Sequence, residues 1–179
     1  GFITALVTVF KPHWSPVSAP IYAVLEGLFL GGISAFFNAQ PQFHNIVLNA
    51  VTLTFGTMFA MLFIYRTGII KVTNKFRLGV VAATGGIAVA YFLSIILGFF
   101  GINVGFLSFG GGTFGIIISL VVIAVAALNL ILDFDFIQNA ARAKAPKYME
   151  WYGAFGLIVT LVWLYIEFLR LLARFSSRN

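Results

Sequence analysis

The sequence predicts an all-α, multi-pass membrane bundle, and three observations carry that prediction. Hydrophobic residues make up 61% of the chain and charged residues only 9%, with a mean hydropathy of +1.03, whereas soluble domains are about half apolar and about a quarter charged. The apolar residues fall into five runs, each near the roughly 20 residues that a bilayer-spanning helix needs. The charges cluster between those runs. Eleven Lys and Arg against five Asp and Glu give a net charge of +6, but cations placed between apolar runs are the mark of membrane topology and leave no nucleic-acid surface to propose. With 179 residues, one membrane domain spanning 1–179 accounts for the length.

Residues 1–10 are apolar but too short to span, and they lack the basic flank of a signal peptide. They are expected to be the tail of a helix, which leaves a partial helix at the N-terminus. Residues 11–20 hold three prolines and are expected to form a connection. The first full span is expected at about 19–38 with Glu26 inside it, and an uncharged loop follows at 40–45. The second span, 46–65, is closed by Arg66. Arg66, Lys71, Lys75 and Arg77 then form a basic loop. The third span covers 78–100, and a Gly-rich turn without charge occupies 101–113. The fourth begins near Phe114 and runs through Asp133 and Asp135 into the Ala-rich stretch 138–145. Pro146 ends it, and the fifth span covers 148–172.

Alternate threading puts Lys11, the Arg66 to Arg77 cluster and the Arg142, Lys144, Lys147 cluster on one side, which the positive-inside rule makes cytoplasmic. Arg170, Arg174 and Arg178 fall on the other side, where arginines near a helix end are expected to snorkel. Small residues recur every fourth position at Ala23, Gly27, Gly31, Ala35 and again at Ala82, Gly86, Ala90, Ser94, Gly98. Such stripes predict close helix packing.

Without cysteine there is no disulfide, thiolate metal site or Cys nucleophile. His13 and His44 lie far apart with no second His at helical spacing, so no zinc site is expected. Residues 110–115 read G-G-G-T-F-G and match a dinucleotide fingerprint in letters alone. The fingerprint needs a strand before it and an acid on a second strand, and here the acid lies on the same apolar helix. No nucleotide and no cofactor is expected, and no enzyme motif stands out.

The chemistry lies with acids inside spans, because a carboxylate in hydrocarbon is costly and is a functional candidate by default. Asp133 follows Asn129 by four residues, so the two share a helical face with Ala126. Asp135 is turned about 200° from Asp133 and is expected to be structural, pairing with a basic residue of a cytoplasmic connection such as Arg142 or a lysine. Glu167 shares a face with Gly153, Gly156, Thr160 and Arg170. Two readings stand side by side. Asp133 and Glu167 line one polar path as a proton sensor and a hard-oxygen calcium site, with Asn129, Glu26 and Arg170 in support. Alternatively, Glu167 pairs within its helix with Arg170 at i+3, and Asp133 closes a helix end with Asn129.

The motifs L-D-F-D-F-I at 132–137, L-Y-I-E-F-L-R-L-L at 164–172 and Y-A-V-L-E-G-L-F-L-G at 22–31, with support from 54–65 and 145–153, resemble the bacterial branch of the Bax inhibitor family over essentially the whole chain. The resemblance implies a seven-helix bundle with the last helix at its centre and a pH-sensitive calcium leak in the bacterial plasma membrane, with lipid and calcium as partners. It implies that this chain lacks about the first one and a half helices. The family's acid pair carries over to Asp133 and Glu167. The second acid is Glu where many members have Asp, and the longer connection offsets the two in depth by about 10 Å on ideal helices. The nearest candidates for the family's basic latch are Lys11 and His13. Two functions of other classes remain open: a structural or regulatory subunit whose small-residue stripes bind membrane proteins, and a proton-coupled transporter, for which no inverted repeat is evident.

Overall fold

The structure is a computed structural model and describes residues 1–40, 43, 45–101 and 112–176. Its described residues form α1 (Phe2–Phe10), a 3-10 turn (Pro12–Trp14), α2 (Ser15–Asn38), α3 (Ile46–Thr67), α4 (Asn74–Phe99), α5 (Gly112–Arg142) and α6 (Tyr148–Ser176). Five of these are long and apolar enough to cross a membrane, the first counted from Pro12 through Asn38. The expected five spans are therefore present, preceded by the short helix α1. The Gly-rich turn falls mostly outside the described residues, as do His44, Arg178 and the first two glycines of G-G-G-T-F-G.

The boundaries differ where local chemistry extends a helix. The Pro-rich stretch is not a free connection, since α2 starts at Ser15 with Pro16 in its first turn, a position where the missing amide is tolerated. Ser15 donates from Oγ to the carbonyl of Tyr148 at 2.7 Å, and Thr8 donates to Ser18 Oγ at 2.7 Å. Hydroxyls thus tie the start of α2 to α6 and α1. The basic loop is also shorter than expected. Thr73 caps α4, its Oγ1 accepting from the amide of Phe76 at 3.2 Å, and this draws Lys75 and Arg77 into the helix. At the end of α3, Gly68 adopts φ 71°, the left-handed C-terminal position that glycine takes without a Cβ clash.

Helix α6 is central, lying against α5, α2 and α3, while α4 packs on α5. The core is built from Ala50, Leu130, Ile131, Leu164 and Leu169, all buried. Around it, Leu28, Phe59, Phe63, Phe92 and Ile95 point outward, as lipid-facing side chains do. In lipid, helices associate through van der Waals fit and polar bonds rather than through a hydrophobic drive, so the polar contacts between helices carry unusual weight here.

The small-residue stripes do not make the expected tight contacts. A Cβ added at Gly27, Gly31, Gly86 or Gly98 would meet nothing within 4 Å. The close approaches occur at Gly115, Gly153 and Gly156 instead, on the α5–α6 pair. A small residue permits close approach, but the approach happens only where a partner helix lies.

The threading is alternate. The salt bridge from Arg77 to Asp135, the bond from Tyr65 to Gln138 and the bond from Ser15 to Tyr148 gather the start of α2, the end of α3, the start of α4, the end of α5 and the start of α6 at one end. That end carries the Arg66 to Arg77 and Arg142 to Lys147 clusters, the side that the positive-inside rule assigns to the cytoplasm. Arg174 lies at the other end and does not snorkel. It is 3% exposed and turned inward onto the carbonyl of Gly115 and onto Ser119, because α5 offers it acceptors inside the bundle.

Candidate functional site

Asp133 lies on α5 where α6 approaches through two glycines. The approach needs bare backbone: a Cβ at Gly153 would fall 2.8 Å from Ile137 Cγ1, and one at Gly156 would sit 3.5 Å from Asp133 Oδ1. Thr160, one turn past Gly156, donates to Asp133 Oδ2 at 2.6 Å. The half-buried carboxylate faces a cavity of about 550 Å³ that Asn129, Gly153 and Gly156 also line. Arg77, Asn139 and Tyr152 line the same cavity toward the end that carries the basic clusters. A cavity with a few polar groups set in a largely apolar lining therefore leads from the positive face of the protein to an acid within a span.

Asn129 shares this chamber with Asp133 but donates elsewhere, to Thr84 Oγ1 on α4 at 2.7 Å and to the carbonyl of Val125 at 2.9 Å. Asp135 faces away from Asp133, as its 200° rotation requires. Its Oδ2 accepts from Arg77 at 2.8 Å and from Asn139 at 3.0 Å. The partner is thus Arg77 rather than Arg142 or a lysine, because Thr73 starts α4 early enough to bring Arg77 onto the helix.

Glu167 is 1% exposed and belongs to a second cluster. Its Oε1 accepts from the hydroxyl of Tyr91 on α4 and from Arg170 at 3.1 Å. Arg170 also donates to Tyr91 Oη at 2.9 Å and lies 5.3 Å from the centre of its ring. The i+3 pair with Arg170 is therefore formed. Glu167 lies seven residues beyond Thr160, about 10 Å along the axis at 1.5 Å per residue. The offset expected from the long connection is present, and the two acids bond to different partners.

The remaining candidates lie elsewhere. Glu26 is half-buried on α2, beside Gly1, and does not line the chamber. Lys11 lies 5.0 Å over the ring of Trp14, and His13 meets the same ring edge-on. Among the described residues no group of three or more His, Cys, Asp or Glu side chains gathers.

Three residues of α4 complete the arrangement and are absent from the candidates read in sequence. Arg77, Thr84 and Tyr91 bond to Asp135, Asn129 and Glu167 respectively. They recur every seventh position and so share one face of the helix. That spacing was the available signal, set in a basic flank and an apolar run where each residue alone looks ordinary.

A family model described as Bax inhibitor 1 like matches residues 1–177. No curated protein and no solved structure gives a match.

Proposed function

The chain belongs to the Bax inhibitor 1-like family, and from that premise we propose that it is a pH-sensitive calcium leak of a bacterial plasma membrane, without enzymatic activity or resident cofactor. The observation that carries the proposal is the placement of Asp133: a carboxylate inside a membrane span, held by Thr160 and facing a chamber lined by Asn129 and Asn139. A charge so placed is costly in lipid, and protonation or a passing cation relieves that cost. Calcium takes six to eight oxygen ligands, whereas this chamber offers one carboxylate with a few neutral oxygens and room for water. The donor set suits transient passage of the ion rather than storage.

The test is calcium flux from liposomes holding the full-length protein alone, measured across pH. Flux that changes with pH supports the leak. A second reading, a subunit of a larger membrane complex, draws on the exposed small-residue faces of α2 and α4. Absence of flux together with stable co-purification of a membrane partner would favour it.

A further inference from the structure

A separate cavity of about 480 Å³ opens where α3 and α5 end, on the face that carries the basic clusters. Arg66, Lys71 and Arg142 line it, together with Tyr65, Asp135 and Gln138. The three cations are exposed. The ion pairs among the described residues are Arg77 with Asp135 and Arg170 with Glu167, so none of the three has an anion of its own. The carboxylate in the lining is already matched, since Asp135 Oδ2 accepts from Arg77 and Asn139. Gln138 accepts the Tyr65 hydroxyl through Oε1, a bond that ties the two helix ends together and leaves the amide NH2 of Gln138 to donate. The carbonyl end of a helix carries about half a negative charge. Two such ends meet here, and three full cations outweigh them.

This combination of unpaired cations, a spare amide donor and an enclosed space fits a phosphate group, which arginine holds through paired N–H donors. The depth of the cavity decides what carries that phosphate. Arg66 and Arg142 lie at the ends of two candidate membrane spans, the level at which basic pockets between helices meet lipid headgroups. Phe63, one turn before Arg66, and Ile69, next to the lining residue Ile70, are 67% and 71% exposed. They offer apolar surface that acyl chains cover and a free phosphate does not. We propose that this cavity binds the phosphate of an anionic membrane lipid, with Arg66, Lys71 and Arg142 around the phosphate oxygens and Gln138 as a further donor. The bound lipid joins the end of α3 to the end of α5. The proposal does not draw on the leak reading.

The experiment is a lipid titration of Tm on full-length protein exchanged into neutral detergent until no lipid phosphorus remains. Dioleoyl phosphatidylglycerol is the probe, and dioleoyl phosphatidylcholine and sodium phosphate are the comparison arms. R66Q, K71Q, R142Q and their triple are set against K75Q/K144Q/K147Q, which removes the same charge from the same end of the bundle without touching the cavity lining. Phosphatidylglycerol should raise wild-type Tm to a plateau, while the two comparison arms leave it in place. A Lys or Arg at an anionic lipid surface is worth about fivefold in affinity, so each single should raise the half-saturating lipid concentration about fivefold and the triple about a hundredfold, with the control triple within about twofold of wild type. Equal losses in the two triples would overturn the site in favour of diffuse surface attraction. The same Tm gain from sodium phosphate or phosphatidylcholine would overturn the anionic lipid as occupant, and no gain from phosphatidylglycerol would overturn the proposal outright. Should the cavity triple fail to fold, the three singles set against K144Q carry the same comparison.

Discussion

Asp133 and Glu167 are joined to the same helix at points two turns apart: Asp133 through its bond with Thr160, and Glu167 as a residue of α6 itself. The first faces a chamber, and the second is sealed beneath Tyr91 and Arg170. The two acids therefore sit in different surroundings, one open to a cavity and the other enclosed by side chains, and substitutions at them report on different parts of the bundle.

Their substitutions should differ in stability and add. D133N keeps an acceptor for Thr160 and should cost less than about 1 kcal/mol, the usual scale of one hydrogen bond. E167Q removes the anion beside the partly buried Arg170, whose side chain is 18% exposed, and should cost about 1.5–3 kcal/mol, the scale of a hydrogen bond to a charged group. Groups farther apart than roughly 7–10 Å without shared partners add within about 0.5 kcal/mol. Thermal or denaturant unfolding of the singles and the double measures this, and a larger coupling would place the two acids in one network.

The Arg77–Asp135 bridge should be structural. Its side chains are 54% and 15% exposed, so the pair is partly screened and worth about 1 kcal/mol or less. D135N and R77Q should lower Tm by similar small amounts, and in D135N, which lies outside the chamber lining, the pH profile of flux should stay in place. Loss of pH sensitivity in D135N, with D133N unaffected, would move the site to Asp135.

The two glycines facing α5 should respond in opposite ways. At Gly153 an added methyl meets Ile137 at 2.8 Å, and overpacking of this kind costs about 1–3 kcal/mol. G153A should therefore lower Tm, with partial relief in G153A/I137A. At Gly156 the nearest atom is 3.5 Å away, an ordinary contact, and alanine gains up to about 1 kcal/mol in helix propensity. G156A should fold at least as well as wild type and slow flux by narrowing the chamber. Equal Tm losses at both positions would contradict this packing.

The threading is open to labelling, because the chain has no cysteine of its own. Cysteines introduced at Lys71 and at Ala39, both exposed, should react with an impermeant maleimide from opposite sides of the membrane. Labelling from one side alone would overturn the alternate arrangement.

Charge and hydropathy made the five spans legible, because a bilayer imposes run length directly. Helix ends were less so: Thr73 starts α4 early through a single hydroxyl cap, and α2 begins at Ser15 with a proline in its first turn, neither of which a hydropathy count registers. Asp133, Asp135 and Glu167 stood out as charges in apolar runs. Their partners did not, since Arg77, Thr84 and Tyr91 gain meaning only when α4 is laid along α5 and α6. The small-residue stripes misled for a related reason. Glycine records that approach is permitted, and only the neighbouring helix decides whether it happens, as at Gly153 and not at Gly86.

The central claim is that Asp133 couples calcium movement to protons. Its most direct test is the pH profile of calcium flux through full-length D133N in liposomes, set against wild type at matched protein density. The account requires wild-type flux to change with pH and the profile of D133N to be nearly flat over the same range. A D133N profile that tracks wild type through its whole transition would contradict it.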